Sequence, residues 1–123
     1  MAIDHVTIKV KDLAAAKRFY AGALAPLGYA VLMEFEGFLG LGAGGKPDLW
    51  IARYETTAPP AHVAIAAGSK EKVDAFHAAA LASGGKDNGA PGIRAEYHPG
   101  YYGAFALDPE GNNLEAVIHD HKA

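Results

Sequence analysis

Apolar and polar positions alternate at the start of the chain, give way to helical spacing, and then do the same again in the second half. Val6, Ile8 and Val10 fall on one side of an extended segment and His5, Thr7 and Lys9 on the other, the pattern of a half-buried strand. Asp12 stands where an N-cap belongs, and Leu13, Ala16, Tyr20, Ala23 and Leu27 recur at helical intervals. Tyr29 to Phe35 and Phe38 to Leu41 then form a hairpin about Glu36-Gly37, followed by a strand from Leu49 to Tyr54. The first half therefore reads βαβββ. In the second half Ser69 caps a helix with the stripe Val73, Phe76, Ala80 and Leu81, and Gly84-Gly85 stops it. Arg94 to Tyr97 is a short strand, Tyr102 to Leu107 a firmer one, Asp108-Pro109-Glu110-Gly111 a turn, and Asn113 to His119 the last strand. Lys86 to Gly100, with five Gly or Pro residues, is expected to be a loop over a site.

The similarity of the halves extends to residue identity. A shift of 57 positions lays Asp4 to Gly28 over Ala61 to Gly85, matching His5 with His62, Ile8 with Ile65, Phe19 with Phe76, Leu24 with Leu81 and Gly28 with Gly85. Internal repeats dictate architecture, so the chain divides into module one, residues 1–57, and module two, residues 58–123, with Thr56 to Pro60 as the seam. At 123 residues these fit one compact domain. Half of the residues are apolar and a fifth charged, which suits a soluble globular chain with a core. No apolar run reaches the roughly 18 residues of a membrane span, and the opening segment is unlike a secretion signal, so the expected location is cytoplasmic. The charge of −3, without a Lys or Arg run, gives no footprint for nucleic acid or an anionic membrane and leaves small molecules as the expected partners.

The chain has no cysteine, so a metal here would need imidazole, carboxylate or water ligands. Aligning the closing strands puts Asp48-Leu49-Trp50 over Asn113-Leu114-Glu115, and a pseudo-twofold would gather His5, Trp50, His62 and Glu115. A lone strand histidine is more often a surface residue. The repetition, together with a carboxylate placed by the same symmetry, favours His5, His62 and Glu115 as ligands of a divalent ion. Two imidazoles and one carboxylate form the facial set of non-haem Fe(II), and Zn, Ni, Mn or Co fit it as well. His98 is a candidate general acid or base, and Arg94 a candidate for gripping a carboxylate or phosphate. Trp50, Phe35 and Tyr102 could wall a cavity. His119 and His121 read as surface residues.

The opening His5-Val6-x-Ile8-x-Val10-x-Asp12-Leu13, with Phe19-Tyr20 and Leu24-Ala25-Pro26-Leu27-Gly28, and the close Phe105 to Glu115 resemble the two ends of vicinal oxygen chelate domains. These are the glyoxalase, bleomycin-resistance and extradiol-dioxygenase superfamily. The resemblance implies an α+β fold in which paired βαβββ modules form a cupped, eight-stranded mixed sheet. It also implies a central metal at His5, His62 and Glu115, and a homodimer. Glyoxalases carry a fourth ligand where Trp50 stands, and often an Arg near Lys9 that meets an anionic substrate, which makes Lys9 a candidate for such a group. Extradiol dioxygenases carry a Tyr where Phe105 stands, and Tyr101 or Tyr102 could replace it. The expected activity is thus of lyase or dioxygenase type on a small oxygenated substrate, with His98 or Tyr102 moving protons and Lys9, Trp50 and Arg94 binding substrate. A metal-free protein that sequesters a small molecule, like the bleomycin-resistance proteins, is the other expectation.

Overall fold

A computed structural model describes residues 3–122. The order of elements is β1 (Val6–Val10), α1 (Leu13–Leu24), β2 (Ala30–Phe35), β3 (Phe38–Gly42), β4 (Leu49–Arg53), β5 (His62–Ala66), α2 (Lys70–Ala82), β6 (Lys86–Ile93), β7 (Tyr102–Leu107) and β8 (Asn113–Ile118). The strands make two four-stranded mixed sheets ordered β1-β4-β3-β2 and β5-β8-β7-β6, so each repeat builds the same sheet. In both, the first strand pairs in parallel with the last: Val6 opposes Leu49 in one, Val63 opposes Leu114 in the other. Trp50 and Glu115 are therefore equivalent positions, as the sequence alignment expects. No helix among the described residues is long and apolar enough to cross a membrane.

Caps set the helix starts. The Asp12 carboxylate accepts the Ala15 N–H at 3.0 Å and the Ser69 hydroxyl accepts that of Lys72 at 3.2 Å. Both helices lie on one side of the sheets. Ile8, Leu39, Leu41, Leu49 and Ile51 of the first sheet, Ala104, Ala106, Leu114 and Ala116 of the second, and Phe19, Tyr20, Leu24, Val73 and Phe76 of the helices form one buried cluster. The alanines leave room for α2 to lie close on the second sheet, and α1 meets the end of α2 where Gly22 lacks the Cβ that would strike the Ser83 hydroxyl. Residues of opposite parity point to the other, open face of each sheet.

One expectation is corrected here. Lys86–Ile93 is a strand, and Arg94 to Tyr97 is a turn. The Gly and Pro residues that suggested a loop sit at register shifts against β7, between Asp87 and Gly89 and between Gly89 and Gly92. Because β6 is an edge strand, it tolerates bulges and the missing Pro91 N–H.

The turn between β7 and β8 ties the halves together. Asp108, 2% exposed, accepts the Tyr20 hydroxyl at 2.8 Å, the N–H groups of Glu110 and Asn112 at 2.8 and 2.9 Å, and the Asn112 amide at 2.8 Å. Asn112 extends the network, taking the Ala61 N–H at 2.8 Å and donating to Lys9 O at 3.5 Å. Glu110 accepts the N–H groups of Lys11 and Asp12 at 2.7 Å. Burial and the Asp108 carboxylate together push the Tyr20 phenol far above its usual range, so it remains a donor. Asp108→Ala would strand several buried donors and is expected to cost about 3 kcal/mol, against about 1 kcal/mol for Tyr20→Phe. Urea unfolding checks this, and equal midpoints for the two variants would contradict it.

Candidate functional site

On the open face of the second sheet, strand alternation presents His62 from β5, Glu115 from β8 and Phe105 from β7. Glu115 is 2% exposed, and one carboxylate oxygen accepts His62 Nε2–H at 2.8 Å while the other accepts the Tyr101 hydroxyl. Tyr101 belongs to the turn before β7 and folds back over Gly103, where a Cβ would lie 3.2 Å from its ring and 3.4 Å from Glu115 Oε2. Burial and this bond raise the Tyr101 phenol well above the usual tyrosine value. Arg94 lies with its guanidinium carbon 5.5 Å from the centre of the Phe105 ring and donates to Ala90 O at 2.8 Å.

Above Tyr101 sit two more imidazoles. His98 Nδ1–H donates to Pro99 O at 2.7 Å, which leaves Nε2 to pair with His119 Nδ1 at 2.9 Å. Both rings meet Tyr101 edge-on, with centroids 5.4 and 5.3 Å away. His98 thus lies one ring removed from Glu115, and His119, expected to be a plain surface residue, is its partner. Tyr102 points the other way. Its hydroxyl donates to Asp74 Oδ1 on α2 at 2.6 Å, so alternation along β7 removes it from this face and its neighbour Tyr101 takes the place expected of it.

The first sheet presents a different surface. His5 precedes β1, and its Nδ1 meets Asp4 at 2.8 Å, while Lys46 Nζ holds the other Asp4 oxygen at 2.6 Å. Trp50, where symmetry puts a counterpart to Glu115, packs against Gly40, at which a Cβ would come 2.8 Å from the indole. Phe38 is 5.8 Å from Trp50 and stacks on Phe35 at 4.9 Å. Lys9 Nζ rests 5.0 Å from the centre of the Tyr54 ring.

These surfaces meet along β1 and β5, the edge strands of their sheets. Asn112 joins Lys9 to Ala61, whereas Ile3 to Val6 share a cleft of about 490 Å³ with Val63 to Ala66. The strands therefore run past each other in opposite directions, with His5 at one end of the seam and His62 at the other. Within one chain the structure brings together His62 and Glu115, with Tyr101, and leaves His5 apart. Among the described residues no three His, Asp or Glu side chains cluster as a metal would require. His62 and Glu115 are of the donor types a divalent ion takes, and in this structure they are hydrogen-bonded to each other at 2.8 Å.

A model of the glyoxalase/bleomycin resistance protein/dioxygenase superfamily matches residues 2–116. A glyoxalase/bleomycin resistance protein from Albidiferax ferrireducens T118 superposes with a TM-score of 0.81 at 30% identity, covering 95% of this chain and 98% of that one. A glyoxalase/bleomycin resistance protein/dioxygenase family enzyme from Burkholderia phytofirmans PsJN gives 0.73 at 24% identity over 97% and 99% of the two chains, a likeness of fold. No functionally curated protein matches the sequence.

The setting of His5 is testable by titration. The hydrogen bonds that Asp4 accepts, from Lys46 first and His5 second, hold its carboxyl at about 2, below the usual 3.8. A carboxyl depressed on folding adds stability that is complete above its unfolded value and is lost as pH falls through the folded one. This one is exposed, so the effect on stability is slight. In Lys46→Met the Asp4 midpoint, read by carbon NMR, is expected to rise toward 3.8, and an unmoved midpoint would dissolve the pair.

Proposed function

Because the chain belongs to the glyoxalase/bleomycin resistance protein/dioxygenase superfamily, we propose that it is a metal-dependent enzyme, of lyase or dioxygenase type, acting on a small oxygenated substrate. The observation that carries this reading is the union of His62 with the buried Glu115 on an open sheet face. With His5 at the far end of the seam, the third ligand comes from a second copy, and the protein works as a homodimer in which module one of one chain closes over module two of the other. A divalent ion held there would supply Lewis-acid charge to substrate oxygens. To hold it, His62 would carry its proton on Nδ1 and present a bare Nε2. The Tyr101 phenol, kept protonated by burial and by Glu115, would turn its one hydrogen from Glu115 to a substrate oxygen beside the carboxylate. Arg94, over Phe105, orients an anionic end. His98 exchanges protons with solvent through His119.

A second reading, a metal-free binder, is favoured by the separation of His5 and by the two donors already satisfying Glu115. Elemental analysis after incubation with Fe(II), Ni, Zn, Mn or Co separates the two. Wild-type protein is expected to hold about one ion per chain and His62→Ala less than about a tenth, and wild-type protein as empty as the variant would leave only the binder. Equimolar His5→Ala and His62→Ala subunits, mixed and re-annealed, are expected to regain about a quarter of the sites, the share random pairing allows when each site draws on two chains. No recovery would place the whole site in one chain.

A further inference from the structure

The open face of the first sheet carries a second kind of chemistry. A cleft of about 340 Å³ is lined by His5, Thr7, Phe38, Trp50, Ala52 and Tyr54, a volume within the range that holds a small organic ligand. Its floor is aromatic and exposed, since Phe38 is 40% accessible and Tyr54 48%. The floor is also shaped. Gly40 makes room for the indole, since a Cβ there would come within 2.8 Å of it. Tyr54 is shared with an adjoining cleft lined by Lys11, Arg53 and Glu55. Among the described residues, no ion pair engages the side chains of Lys9, Lys11 or Arg53. Lys9 already uses the Tyr54 ring as a cation–π partner. An aromatic floor thus ends at the ammonium of Lys9.

We propose that this face binds a planar aromatic acid, its ring among Trp50, Phe38 and Tyr54 and its carboxylate toward Lys9. An apolar floor alone would accept any hydrophobe. Lys9 selects an anion, and the aromatic floor selects a ring over an aliphatic body because aromatic pairs, stacked or edge-to-face, add attraction beyond area. The assignment rests on the preceding reading only in making this compound the substrate, since the shelf of one copy then faces the Glu115 site of the other.

Trp50 is the one tryptophan of the chain, so its indole N–H gives a single, assignable NMR resonance. We would titrate the intact protein with 2-naphthoate, cyclohexanecarboxylate and 2-naphthalenemethanol. The expected result is a saturable shift with naphthoate and at least about a tenfold weaker response to the other two, a difference of about 1.4 kcal/mol. Lys9→Met should erase the preference for naphthoate over naphthalenemethanol, and Phe38→Ala should weaken both aromatic probes. Equal responses to naphthoate and cyclohexanecarboxylate, or an unchanged preference in Lys9→Met, overturn the proposal. Naphthoate binding in a protein that takes up no metal would sink the enzyme reading and leave the aromatic acid as a sequestered ligand. Metal uptake without naphthoate binding would do the reverse.

Discussion

The Asp108 carboxylate holds the fold at its centre. It is buried, which is costly for a charge, and it is tolerated because four donors converge on it: a phenol from α1, two backbone N–H groups and an amide of its own turn. The same turn sends Asn112 to both edge strands and Glu110 to the start of α1. Five residues at the tip of one hairpin thereby fix where the first repeat stands relative to the second. The apolar cluster supplies the bulk of the attraction between the halves, but hydrophobic contact is non-directional. The hydrogen-bonded turn supplies the register, and with it the course of β1 past β5.

Much of this was legible in the chain itself. The shift of 57 residues foretold two like sheets, and the alignment of the closing strands made Trp50 and Glu115 equivalent, as they are where they oppose Thr7 and Ala64. Other features were not, for physical reasons. β6 carries glycines and a proline that normally end strands, and only its position at a sheet edge makes them harmless. Tyr101 lies just before β7, where alternation no longer says which way a side chain turns, and it reaches Glu115 only because Gly103 clears the path. His5 teaches the most. Repeat symmetry makes His5 and His62 equivalent, yet a twofold between antiparallel edges sends equivalent residues to opposite ends of the seam. Equivalence in sequence and convergence in space are separate conditions.

The two repeats have diverged at the position where symmetry matters most. Glu115 is sunk among donors, and Trp50 packs against a glycine. The sheets that present them share register and helix, so the difference rests on a few side chains: a carboxylate with His62 and Tyr101 on one, an indole with Phe38 and Phe35 on the other. One half of the molecule offers polar, titratable groups and the other an apolar shelf. A ligand spanning both would meet charge at one end and stacking at the other.

The seam between β1 and β5 has a further consequence. The halves are joined by side-chain hydrogen bonds and helix packing, with each edge strand closing its own sheet. A backbone ladder would have locked the width of the cleft to the spacing of a peptide lattice. Here the width follows from the size of Leu27, Tyr29, Val63 and Ile65, which line it. Exchanging such residues would widen or narrow the trough while both sheets keep their pairing, which gives descendants of this chain a way to change what they hold without relearning how to fold.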